Sequence, residues 1–239
     1  MKRLLTLVLL LISSLCHAEL PDDFIGDLQR AVDTAALKYG ITATIYLERM
    51  RPGMPMVARV RDKQCQIVFD VDEYDTLNKA YLRYFPNRQD ALNGTVVHEM
   101  MHCVQMLRLY KENSEYAIVA PRHANEAMML EKFIAHAGES QSAFIWREFQ
   151  ADAAAMMYYL DNGDYPNAQA LVNVRHVDGD DDPGHDTAFL LSALLADLST
   201  QRPDALPRAE FSDRVIAASE RVFLAAQKTR SLKAAPPAN

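Results

Sequence analysis

Thr95-Val96-Val97-His98-Glu99-Met100-Met101-His102-Cys103-Val104-Gln105 is the stretch on which the reading of this chain turns. It lies inside a helical period predicted over about Asp90 to Tyr110, where residues four apart stand one turn apart on the same face. His98 and His102 therefore aim at one point, with Glu99 beside them. Two histidines at this spacing with a glutamate after the first can grip one zinc ion and set a general base at its open position. Val97, Met101, Val104 and Leu107 or Arg108 mark the rear of the helix, an apolar stripe for burial on a core. The competing interpretation is a solvated helix face with two ordinary histidines.

Upstream, Asp22 to Tyr39 reads as a helix, with Phe24, Ile25, Leu28, Val32 and Ala35 on one stripe and Gly40 as its stop. Ile41 to Met50 changes to a period of two, Arg51-Pro52-Gly53 is a turn, and Met56 to Val60 and Gln64 to Val71 read as two further strands. Downstream the pattern is helical over about Asp75 to Phe85, Asp90 to Tyr110, Ala124 to Ala137, Ser140 to Leu160, Thr187 to Leu198 and Ala209 to Lys228. Pro86 stands just before the central helix and Gly138 between two later ones. One helix, a sheet of about three strands and then a helical bundle make an α+β fold in a single domain, 19–233, with no internal repeat and a Pro/Ala-rich, disordered tail at 234–239.

The first residues, Met1-Lys2-Arg3, an apolar run from Leu4 to Ile12, and Cys16-His17-Ala18, have the layout of a signal peptide, 1–18, cut after Ala18. The expected location is periplasmic or extracellular. The formal charge of −7 becomes −9 once Lys2 and Arg3 are removed, since no acid precedes Glu19. Such an acidic chain offers no footprint for nucleic acid, and no later segment is apolar enough to span a membrane. Cys65 and Cys103 then remain; in an oxidising compartment they can pair, tying a strand to the central helix, or stand as separate buried thiols.

Tetrahedral catalytic zinc takes three protein ligands and a water. The metzincin arrangement needs a glycine and a third histidine where this chain has Gln105 and Arg108, so that arrangement is excluded. Two acids on predicted helices are candidates for the third ligand: Glu148, in Arg147-Glu148-Phe149-Gln150-Ala151-Asp152, and Glu126, in Asn125-Glu126-Ala127.

The Arg147–Asp152 segment resembles the R-E-[FY]-x-A-D signature of the HtpX and CAAX-protease-like gluzincins and their soluble, minigluzincin-type relatives. The region of about Ile67 to Leu160 is also similar to short putative-metallopeptidase domains in which H-E-x-x-H-x-x-Q precedes E-A-D-A, with Gln150 here in place of their glutamate. The resemblance implies a zincin-like fold, Glu148 as third zinc ligand and Asp152 supporting a ligand histidine. It implies a Zn2+-dependent peptidase acting on protein or peptide substrate, with Glu99 as base. Such enzymes often use a later His, Tyr or Arg to stabilise the oxyanion; His185 is the first candidate, followed by His176 and Tyr158, with His123 and His136 behind them. A non-catalytic zinc-binding module is the alternative, against which an intact Glu99 argues. Hydrolysis of a non-peptide amide has no residue pattern in its favour.

Weaker signals resolve to structure. The strand Gln66–Phe69 is either a cleft rim that pairs with an extended peptide or a core strand. Asp178-Gly179-Asp180-Asp181-Asp182 has calcium-loop spacing at its start, but Pro183 and Phe189 occupy the places of the glycine and the bidentate glutamate, so it reads as a solvated acidic turn. The pairs Met100-Met101, Met128-Met129 and Met156-Met157 read as core filler.

Overall fold

The structure is a computed structural model and describes residues 20–50, 55–112, 141–181, 187–200 and 210–234. Helix α1 (Asp22–Tyr39) buries Phe24, Leu28, Ala31, Val32, Ala35 and Tyr39, a repeat of three and four that fixes one face. Ile25, placed in that stripe by the sequence, is exposed, and Ala31 takes its share of the contact. Gly40 closes the helix in the left-handed region, φ 64°, which a side chain would resist, and its N–H bonds back to the last turn.

Strands β1 (Ala43–Glu48), β2 (Met56–Arg61) and β3 (Gln64–Asp70) form one sheet in the order β1-β3-β2, with β1 parallel and β2 antiparallel to β3. Asp62 and Lys63, both at positive φ, make the tight turn between β2 and β3. β3 is thus paired on both sides and buried, so of the two readings of Gln66–Phe69 the structure shows the core strand and not the peptide-pairing rim. Its backbone groups are already taken by the flanking strands. Among the described residues the free edge on that side belongs to β2.

A short 3₁₀ turn (Val71–Glu73) leads to α2 (Tyr74–Tyr84) and then α3 (Arg88–Glu112), which starts where Asn87 accepts the Asp90 amide. α4 (Gln141–Asp161), α5 (Tyr165–Asp181), α6 (Ala188–Thr200) and α7 (Phe211–Ala234) complete the described helices. This is the α+β arrangement the sequence predicts. The predicted helix Ala124–Ala137, the turn Arg51-Pro52-Gly53, Gly138, Met128-Met129, the leader 1–18 and all but the first residue of the tail 234–239 lie outside the described residues. No helix among the described residues is long and apolar enough to cross a membrane.

One helix runs against the sequence reading. Asp178–Asp181, read as a solvated turn, forms the last turn of α5. A glycine among aspartates is a poor helix signal, and acids at a helix C-terminus oppose the macrodipole, yet the helix continues through them. A start signal was present: Asp164 accepts the Asn167 amide as an N-cap, with Pro166 in the first turn.

α3 is the centre of the molecule. It lies across the sheet, between α1 and α4, so Val96, Val97, Met100, Met101, Cys103 and Val104 are all buried and the apolar surface wraps more than the one stripe expected. Cys65 of β3 and Cys103 of α3 form a disulfide, with 38 residues of sequence separation. Closing a loop of that size restricts the unfolded chain by about 4 kcal/mol on the chain-entropy relation. Tyr39 on α1 donates its hydroxyl to the Val97 carbonyl at 2.9 Å, fixing the same helix from another side.

Gly94 shows how closely α3 and α4 approach. A Cβ there would overlap the Tyr159 hydroxyl oxygen, which donates to the Asp90 carbonyl at 2.7 Å. Gly94→Ala should therefore destabilise the fold by about 1–3 kcal/mol through overpacking, although alanine favours an isolated helix by about 1 kcal/mol. Urea denaturation checks this; a midpoint that rises would show that the two helices part freely.

Candidate metal centre

The functional side chains come from two crossing helices. α3 presents His98, Glu99, His102 and Gln105; α4 presents Glu148, Gln150 and Asp152. His98, His102 and Glu148 form a group that could hold a metal ion. His98 Nε2 and His102 Nε2 are 3.1 Å apart, and Glu148 Oε2 lies 3.5 Å from the first and 3.4 Å from the second. Three donor atoms thus make a nearly regular triangle.

The outer nitrogens of both rings are spoken for. His98 Nδ1 donates to Asp152 Oδ1 at 2.8 Å. Gln105 Nε2 donates to the Arg147 carbonyl at 3.1 Å and to Gln150 Oε1 at 2.9 Å, so Gln105 Oε1, 2.8 Å from His102 Nδ1, must accept. Both imidazoles therefore carry a proton on Nδ1. If neutral, each turns an Nε2 lone pair towards the other at 3.1 Å. Such a pair repels unless a cation sits there, either a proton on one ring or a metal ion bound by both.

The electrostatics agree. Burial works against the His98 imidazolium, but the Asp152 and Glu148 carboxylates outweigh it and push its pKa up to about 10. Burial would also raise Glu148 and Asp152; the imidazoles overcome it at Glu148, and Arg175 with His98 at Asp152, so both acids are held well below the usual carboxylate range. Glu99 goes the other way: burial raises its pKa, and the histidines offset this only in part. Its Oε2 accepts the Ala58 amide of β2 at 2.8 Å. That amide points outward because the ladder to β3 uses Val57 and Arg59.

Among the described residues, neither His176 nor Tyr158, the candidates for stabilising an oxyanion, makes a hydrogen bond, ion pair or ring contact with the triangle. His185 lies outside the described residues, as do His123, His136 and the alternative acid Glu126. His176 is exposed on α5, and Tyr158 lies ten residues beyond Glu148, roughly 15 Å along α4, against Lys38 and Tyr159.

Three residues escaped the sequence reading as parts of the site: Gln105, Arg175 and Thr187. Gln105 stood three residues past the second histidine, at the spacing that returns to the same helix face. Arg175 follows Ala168, Leu171 and Val172 at intervals of three and four, so a cation occupies a core-facing position of α5. That was the signal available for it. No protein-family model, curated protein or solved structure matches this chain.

Proposed function

We propose that this protein is an exported zinc peptidase in which His98, His102 and Glu148 hold the ion and Glu99 is the general base. The observation that carries the reading is the triangle of Nε2, Nε2 and Oε2 with edges of 3.1, 3.5 and 3.4 Å. On a tetrahedral zinc with bonds of about 2.0–2.1 Å, neighbouring donor atoms stand about 3.3–3.4 Å apart. Two imidazoles and one carboxylate are also a donor set that zinc accepts while keeping a position open.

Bound zinc would lower the pKa of a coordinated water towards neutrality and polarise a carbonyl. The chain supplies the rest. Glu99, anchored through Oε2 on Ala58, can take the proton of the attacking water on Oε1 and return it to the leaving nitrogen. Burial raises the Glu99 pKa, the direction that favours a carboxylate which must hold a proton between the two transfers. Asp152 and Gln105 fix the tautomers that turn both Nε2 atoms inward. Among the described residues no strand pairs with the outer edge of β2, whose Ala58 amide meets Glu99, and this supports a substrate presented as extended backbone beside the site. The Cys65–Cys103 disulfide supports maturation in an oxidising compartment.

Metal analysis with a cleavage assay tests the proposal. The purified protein should carry close to one zinc per chain and cut an unfolded substrate such as casein; chelation should stop cleavage and added zinc restore it. Full activity in the zinc-free protein would overturn it.

A pH dependence follows with a definite sign. His98 is raised from 6.5 to about 10, so its protonation stabilises the metal-free fold fully below about 6.5, and that contribution is lost as pH rises through about 10. Glu148 and Asp152 act oppositely: their contribution is present above the ordinary carboxylate range and lost on acidification. Zinc must displace the His98 proton, so apparent affinity should rise about tenfold per pH unit between about 6.5 and 8. Calorimetric titration in buffers of different ionisation heat should show at least one proton released per zinc at pH about 7.5. Release of none would remove the protonated His98 from the account.

A further inference from the structure

Asp152 is fully buried, yet its two oxygens receive donors from three separate elements. His98 Nδ1 reaches Oδ1 at 2.8 Å from α3. From α5, Arg175 Nη2 donates to Oδ1 at 2.7 Å, and Arg175 Nε is shared between Oδ1 at 3.0 Å and Oδ2 at 2.9 Å. Thr187 Oγ1, just before α6, donates to Oδ2 at 2.5 Å. Thr187 sits where an N-cap would be, since its carbonyl accepts the Leu191 amide, but its hydroxyl is turned to Asp152. A cap residue ordinarily uses that oxygen on the helix's own first amides.

A carboxylate held only by His98 could rotate about its side-chain torsions and offer either oxygen. The planar Arg175 fork and the Thr187 hydroxyl leave Asp152 one orientation, the one in which Oδ1 meets His98. The orientation of the His98 ring then follows, and with it the place of its Nε2 in the triangle. We infer that Arg175 and Thr187 are positioning residues for the metal centre, so that zinc affinity is set from α5 and the start of α6, elements that supply no ligand. The inference rests on the proposed zinc site and adds to it two residues that touch no donor atom of the triangle.

The test uses the full chain with Arg175→Met, Arg175→Lys and Thr187→Val, and the double variant Asp152→Asn with Arg175→Met. Zn2+ affinity is measured by competition with a chromogenic chelator, and the thermal midpoint of each zinc-free protein is recorded beside it. Arg175→Met should weaken zinc binding roughly 10–100-fold, the range for losing a supporting partner of a ligand. Arg175→Lys, which keeps the charge without the fork, should recover part of the loss, and Thr187→Val should show a smaller one. In the Asp152→Asn background Arg175→Met should change affinity little, because its route to His98 is gone. A parent that binds zinc, with Arg175→Met and Thr187→Val binding as tightly, overturns this inference alone and leaves a packing role. If Arg175→Met fails to fold, Thr187→Val decides by the same criterion. A parent that binds no zinc overturns the metal reading and this inference together.

Discussion

Glu99→Gln is expected to keep zinc at about one per chain while cleavage of casein falls by roughly 10²–10⁴-fold, the range for losing a general base. The argument is geometric. Glu99 is not one of the three triangle atoms, so the ion should stay. Glutamine has the shape of glutamate and its carbonyl oxygen can accept the Ala58 amide, so the β2 contact is kept. What is lost is an oxygen able to take a proton from water. Activity equal to the parent, with zinc retained, would remove Glu99 as the general base and with it the mechanism proposed here. Loss of zinc together with activity would instead place Glu99 among the ligands.

The second large effect is loss of the ion in Glu148→Ala. Removing Oε2 takes away two edges of the triangle, leaving only the pair of imidazoles at 3.1 Å. Zinc affinity should fall by more than the roughly 10–100-fold that a supporting residue costs, and His98→Ala should behave alike. Glu126→Ala, at the other acid suggested by the sequence, should retain the metal. Zinc that survives Glu148→Ala but not Glu126→Ala would transfer the third ligand to Glu126. Glu148→Ala exposes the raised His98 to the loss of one of its carboxylate partners, so its zinc-free form should also lose stability at neutral pH.

Local regularities carried much of this from the sequence. His98, Glu99 and His102 share a helix, and a helix fixes what residues four apart can do together whatever surrounds them. Asp22–Tyr39 with Gly40 behaves likewise, because the cap and the apolar period are local. Glu148 stood in the sequence as one of two candidate acids, with Glu126, and the supporting place of Asp152 came from the resemblance of Arg147–Asp152 to a known signature. Elements whose cues conflicted were harder to read. α5 ends in acids against its own dipole, and its period is too weak in the sequence to assign a helix there, so Arg175 has no predicted element to place it. β3 has the residues of a core strand and of a cleft rim alike; only its two partners show that it has no free edge.

By itself, then, the sequence determined the α+β order of elements and the pair of imidazoles on one helix face, since each follows from repeats within single elements, and it left the third ligand between Glu148 and Glu126. The tertiary structure alone decided that the faces of α3 and α4 meet to within 3.5 Å, that Cys65 and Cys103 are bonded, that Asp152 reaches His98, and that the Arg147 carbonyl and Gln150 orient the Gln105 amide. The reason is physical. Contacts between residues 38 to 54 positions apart depend on how buried surfaces pack, and no periodicity along the chain encodes that distance.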